Sequence, residues 1–214
     1  MSQALCIKRS DLPEMVANID SEGVAPGNQD WRVFDLKAEL IDRSICEIDP
    51  DYLQIIPYIS LYIIPESGSS KFFVYQRGSG SEEGRLEGMH SIGLGGHIET
   101  APLEGQTVID IITAEAVREL QEEVGFKDVV RLERTIRTLL EQNCYLYIYT
   151  GTDDVGKVHL GIAMSIKVLE SDLGDMELNT IINGEWVSPQ ELLKEDTTYA
   201  FERWSELFLY YLTA

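Results

Sequence analysis

The sequence predicts a mixed α/β layer fold, and two observations carry the prediction. β-branched and aromatic stretches lie on both sides of one central helical pattern, and a second amphipathic helical pattern closes the chain. The length, 214 residues, suits one sizeable domain or a domain with an extension. Hydrophobic residues make up 44% and charged residues 25%, which excludes collagen-like, coiled-coil and wholly disordered classes.

Residues 1–50 are mixed in pattern and read as an N-terminal extension with short helices and an edge strand, the main domain following from 51 to 214. Residues 55–64 are almost all β-branched or aromatic and read as a buried strand. Residues 71–77 form a second strand, joined to the first by a Pro/Gly/Ser turn as in a hairpin. The glycine-rich acidic stretch 78–88 reads either as a lid or as a plain connection. Residues 89–98 then hold Gly93, Gly95 and Gly96, where backbone must turn sharply or approach something closely. A helix follows and ends near Val124, with Gly125 as its cap.

Three strand-like stretches come next, at 129–140, 144–149 and 158–168, and a short strand at 184–187. Ser188 followed by Pro189 is a helix start with a cap and a first-turn proline. A terminal helix spans about 199–212. Tyr145, Tyr147 and Tyr149 alternate, which predicts one packed or half-exposed strand face.

Charge narrows the function classes. Seventeen Lys and Arg stand against 37 Asp and Glu, a net charge of −20. Such a surface repels phosphate backbones and anionic lipids, so neither a nucleic-acid duplex nor a membrane is an expected partner. The start of the chain lacks a basic region followed by an apolar run, and no stretch reaches spanning length, so a cytoplasmic location is expected. Cys6, Cys46 and Cys144 are too scattered for a metal knuckle or disulfide framework and read as reduced, mostly buried thiols.

The chemistry concentrates on residues 113–126. At helical spacing Glu115, Glu119, Glu122 and Glu123 share one stripe, while Ala116, Val117, Leu120 and Val124 share the neighbouring one. Like charges three or four apart destabilise a helix by ~0.2–0.5 kcal/mol per pair. A divalent cation shared between them reverses that, and hard oxygen ligands select Mg²⁺ or Mn²⁺. Spacing alone leaves two readings open, a cation site or the acidic face of an acidic protein.

The stretch Arg118-Glu119-Leu120-Gln121-Glu122-Glu123-Val124-Gly125-Phe126 fits the core of the Nudix box, Arg-Glu-apolar-x-Glu-Glu-x-Gly-apolar. Gly95-Gly96-His97-Ile98-Glu99 is similar to its opening, and Gln76-Arg77 and residues 184–188 are weaker echoes. From about residue 53 onward the chain resembles the Nudix (MutT-like) hydrolases.

That resemblance implies an α/β/α sandwich around a mixed sheet, and hydrolysis of a diphosphate linkage in a nucleoside diphosphate derivative or related organic pyrophosphate. It implies Mg²⁺, or Mn²⁺ in its place, held by Glu119, Glu122, Glu123 and the Gly96 carbonyl, with Arg118 holding carboxylates in position. Glu122 or Glu123 would act as base, or else Glu177 on a later loop. Arg77, His97 and Glu99 are the candidate contacts to a small phosphorylated substrate. A homodimer is common in the family, and residues 1–50 could mediate it. His97 could equally make a structural hydrogen bond, His159 reads as a satisfied strand histidine, and His90 has no assignment.

One departure stands out. Where the family places a further Glu, eight residues before Arg118, this chain has Asp110, and residues 100–107 read as an insertion within the box. On an unbroken helix from 107, Asp110 points away from the acidic stripe. The alternative to an enzyme is a Nudix-like module that senses a nucleotide or metabolite without turnover. A third reading, isoprenoid diphosphate isomerisation, would need a cysteine at the site.

Overall fold

A computed structural model describes residues 2–213 except 18, 20, 28–30, 80–83, 178 and 195. Residues 80–83 belong to the glycine-rich stretch read as a lid or connection, so that part of the reading lies outside the described residues.

The first part of the chain holds β1 (Gln3–Lys8), α1 (Glu14–Ala17), β2 (Glu22–Pro26), α2 (Trp31–Lys37), β3 (Glu39–Asp42) and α3 (Arg43–Cys46). Then come β4 (Tyr52–Ile63), β5 (Lys71–Arg77), β6 (His90–Ser91), β7 (Gly93–Leu94), α4 (Val108–Val124) and α5 (Val129–Glu141). The last part holds β8 (Leu146–Thr150), β9 (His159–Lys167), β10 (Ile181–Val187), α6 (Pro189–Leu192) and α7 (Arg203–Thr213).

These strands form one mixed sheet in the order β10-β5-β4-β9-β8-β2, with β1, β6 and β7 attached to β4 or β5 and β3 attached to β1. The long strand β4 organises it. One edge of β4 runs parallel to β9 from Gln54↔His159 to Tyr62↔Lys167. Its other edge pairs in turn with β1, β7 and β5. Being covered on both faces, β4 is apolar almost throughout, as its sequence anticipated.

Residues 3–42 supply three strands of this sheet. The apolar run Ala4 to Ile7 of β1 is at most 1% exposed, which ties it between β3 and β4. One face of the sheet packs α2, α4 and α5 around Phe34, Ile59, Ile112 and Leu120, and the other packs α7 around Tyr58, Phe72 and Phe208. The result is helices on both faces of a mixed sheet.

One strand expectation is corrected. Residues 129–140 are helix α5, not strand. Leu132, Ile136 and Leu140 recur every four residues and are its buried positions, and Asp128 accepts a hydrogen bond from Arg131 N at 3.1 Å to cap the start. The β-branched Val129 and Val130 at its head resembled a strand start, but the charged residues fall on the outer face at helical spacing. Tyr147 and Tyr149 on β8 and Tyr145 just before it are all buried, the packed one of the two outcomes that alternation allowed. Cys6 and Cys46 are buried and Cys144 is exposed, all of them free thiols.

Candidate active site

Helix α4 is long, unbroken and sharply bounded. Thr107 caps it, accepting from Asp110 N at 3.3 Å while Asp110 accepts from Thr107 N at 2.7 Å. Gly125 ends it at φ 59°, a left-handed conformation that glycine adopts without a Cβ penalty. Ile112, Ala116, Leu120 and Val124 are fully buried against the sheet. Three acids of the neighbouring stripe, Glu119, Glu122 and Glu123, thereby line a cavity of about 530 Å³.

Asp110 is not part of that stripe. Its carboxylate caps the helix and accepts from Arg137 at 2.6 Å, and these hydrogen bonds hold its pKa below the usual carboxylate range. The unbroken helix turns it away from the cavity, as its spacing required. Residues 100–107 carry no helix or strand before the Thr107 cap.

Arg118 lies among the acids. Its guanidinium donates to Glu115 and Glu119 and reaches Glu122 at 2.5 Å. These partners, the Glu115 hydrogen bond foremost, hold its pKa above its already high value.

Glu119 is half-buried and Glu123 buried, and both carboxyls are shifted in pKa. Burial foremost, then the Glu115 charge, push Glu119 up to about 7 against the pull of Arg118. Burial, then the neighbouring Glu119 charge, push Glu123 up to about 8. Glu123 is 6% exposed, and its Oε2 is buried with no hydrogen-bond partner. A buried, unpartnered carboxylate oxygen among other carboxylates is the environment that a cation satisfies.

The glycine segment meets this cluster. A Cβ on Gly96 would sit 2.2 Å from Oε1 of Glu119, so only glycine lets the backbone come this close to the acid. Divalent cations of the Mg²⁺ type take carboxylate and carbonyl oxygens together. Converging acids, the adjacent Gly96 backbone and the orphaned Glu123 oxygen all fit such an ion.

Other expected residues fall on the same cavity with different surroundings. Glu177 lines it, and its backbone N–H donates to the Glu123 carbonyl at 2.9 Å. Arg77 lines it too, but its guanidinium is tied to Glu202 at 2.7 Å, with side-chain exposures of 13% and 4%. Burial works against the charge of Arg77, and the Glu202 carboxylate outweighs it. His97 lines the wall as well, with Nε2 3.1 Å from Nε2 of His159. Glu99 is exposed and lies outside the cavity lining.

Two contributors were not singled out in the sequence. Glu202, next to α7, accepts from Tyr58 at 2.8 Å and from Ser91 at 2.7 Å besides holding Arg77. Trp204 on α7 forms part of the cavity wall. Both come from the end of the chain, more than 70 residues after the box, and no local pattern marks them.

No family model matches the chain. In sequence it is 26% identical to Protein YmaB of Bacillus subtilis (strain 168) over 186 residues, 84% of this chain and 83% of YmaB. In structure it is similar to the crystal structure of Tm1382, a candidate Nudix hydrolase, with TM-score 0.60, 18% identity, and 98% of this chain and 97% of the other covered. The chain has the Nudix fold. A weaker likeness, TM-score 0.46 at 12% identity over 75% of this chain and 88% of the other, is to the NUDIX domain of Shewanella oneidensis NrtR crystallised with ADP ribose.

Within the Nudix fold, the box helix is α4 and the glycine segment before it is 93–96. Residues 3–42, ahead of the recognisable box, are built into the same sheet through β1, β2 and β3. Among the described residues no helix is long and apolar enough to cross a membrane.

Proposed function

We propose that this protein hydrolyses a diphosphate linkage in a nucleoside diphosphate derivative or related organic pyrophosphate, using Mg²⁺ or Mn²⁺. The observation that carries the reading is the convergence of Glu119, packed against the Gly96 backbone, with the buried Glu123 on the cavity wall. Their proton affinity is raised to about 7 and 8, a mark of carboxylates poised for a cation.

Glu119, Glu122, Glu123 and the Gly96 carbonyl are the groups that would hold the ion. When bound, the ion neutralises phosphate oxygens and acidifies water. The remaining work falls to the chain itself. Arg118 keeps the carboxylates of α4 from splaying under mutual repulsion. Arg77, oriented by Glu202, and His97 offer donors to phosphate oxygens from the cavity wall. Glu177, which lines the cavity and is outside the cation set, would take the proton of the attacking water. Glu99 lies off the cavity and has no part in the proposal. With a net charge of −20, the chain would repel an anionic substrate unless such cations reverse the field locally.

One observation favours the second reading, a sensing module without turnover: Asp110, at the position of a further family Glu, is committed to the helix cap and Arg137. A screen of nucleotide sugars, dinucleotides, ADP-ribose and nucleoside triphosphates separates the two. Release of nucleoside monophosphate or phosphate with Mg²⁺, abolished by chelation, supports the hydrolase. Saturable ligand binding without release in either condition supports the sensor.

A further inference from the structure

We infer that the chain holds a second metal site, for one transition-metal ion of the Zn²⁺ or Co²⁺ type, built from His97, His159 and Glu47. One ligand atom from each of these three residues lies within 4.8 Å of the other two. The site uses none of the α4 carboxylates and shares only His97 with the diphosphatase reading; with an ion bound, its Nε2 would face the ion and not a phosphate.

The two imidazoles are already arranged as ligands. His97 is 5% exposed and His159 3%. Their Nε2 atoms face each other at 3.1 Å. Two nitrogens on a tetrahedral zinc at ~2.0–2.1 Å stand about 3.3 Å apart, so the observed separation is nearly a ligand edge. His159 Nδ1 lies 2.6 Å from the Val155 carbonyl oxygen. A carbonyl only accepts, so Nδ1 carries the hydrogen and Nε2 of the neutral ring presents its lone pair inward. Fixing a ring by its second nitrogen on a backbone carbonyl is the usual outer support of a metal-binding histidine.

Glu47 follows α3, 50 residues before His97 and 112 before His159. Its carboxylate is 25% exposed and accepts from Arg43 at 3.1 Å, with Arg85 at 3.5 Å. Each carboxylate oxygen has a second acceptor site, so these contacts orient the group without exhausting it. Rotation of this half-buried side chain closes the remaining ångström or so to ligand distance.

A second observation points to a polar guest here. Gln54 is 0% exposed, and both atoms of its side-chain amide lack a hydrogen-bond partner. In register it sits directly between Cys6 on β1 and His159 on β9, on one face of the sheet. Burying an unpartnered polar group costs ~1–3 kcal/mol, so an orphaned amide beside a histidine pair suits an ion and its water. Imidazole nitrogens favour zinc-type ions over Mg²⁺, which separates this site chemically from the α4 carboxylates. Bound there, the ion would fasten the residue after α3 to the glycine segment and β9, fixing one wall of the cavity.

The test is Co²⁺ and Zn²⁺ titration of the full-length, metal-stripped protein in excess Mg²⁺, followed by visible absorption and metal analysis. One Co²⁺ per chain with intense low-coordination bands, displaced by Zn²⁺, is expected. Glu122→Gln should keep those bands, so failure of the carboxylate site and failure of this one are distinguishable. His97→Gln should abolish them, and Glu47→Gln, which keeps the side chain's size, should weaken Co²⁺ binding tenfold or more. Absence of a Mg²⁺-resistant ion, or bands unchanged in both variants, would show that the two rings only hydrogen-bond to each other.

Discussion

Gly96 and Glu119 touch so closely that the space a Cβ would need on the glycine is already filled by the carboxylate, 2.2 Å away. The obstacle is the mobile end of a side chain, not backbone, and Gly96 is not in a left-handed conformation. Gly96→Ala is therefore expected to fold with little change in Tm while pushing Glu119 aside. Mn²⁺ affinity, read by calorimetry or electron paramagnetic resonance, should fall at least tenfold. Unaltered affinity would remove Glu119 and Gly96 from the cation set.

Glu122→Gln tests the same set from its exposed end. The side chain is 55% exposed and paired with Arg118, so the fold should persist. The variant should lose turnover and bind Mg²⁺ more weakly. Full activity in a correctly folded Glu122→Gln protein rejects its assignment.

The raised carboxylates give a pH signature. Burial, with the Glu119 charge behind it, lifts Glu123 from its ordinary 4.5 to about 8, and burial lifts Glu119 to about 7. Between pH 4.5 and 8 the folded, ion-free chain thus binds more protons than the unfolded chain. Stability from these groups is complete at the acid end and is lost as pH rises through their folded values, on the order of a few kcal/mol in all. Thermal melts of metal-stripped protein should show Tm falling across that window, less steeply in Glu123→Gln. Mg²⁺ should raise Tm more at pH 8 than at pH 5.

Asp110 caps the helix, and the proposal gives it no part in the chemistry. Asp110→Ala removes a cap and the Arg137 pair, so a loss of about 1 kcal/mol in urea unfolding is expected. The turnover rate of the folded variant should match that of the parent. A rate falling by orders of magnitude would return Asp110 to the site.

The Arg77–Glu202 pair is a buried structural element that the proposal also gives a part in substrate binding. Removing one partner of a buried ion pair costs ~3–5 kcal/mol because the other charge stays behind. Glu202→Ala should be destabilised on that scale and should also impair substrate affinity, since Arg77 loses its orientation. Denaturant unfolding and KM measured on the folded fraction check both.

Much of this was legible in the sequence because it is local. The α4 stripe, its Gly125 cap, the β4 run and the Ser188–Pro189 helix start are written in periodicity and turn chemistry over a few residues. What was misread or missed depends on distance or on ambiguous heads. Val129 and Val130 disguised the α5 repeat of Leu132, Ile136 and Leu140 as a strand. Glu202 reaches Arg77 across 125 residues, and Glu47 approaches His97 and His159 only because β1, β4 and β9 lie side by side. Sheet neighbourhoods of that kind arise from strand order, which no short pattern encodes.

The most direct measurement is an anomalous difference map from crystals soaked in Mn²⁺. The account predicts density bounded by Glu119, Glu122, Glu123 and the Gly96 carbonyl, lost in Glu122→Gln crystals. A cavity wall without manganese, its glutamates still gathered only on Arg118, would contradict it.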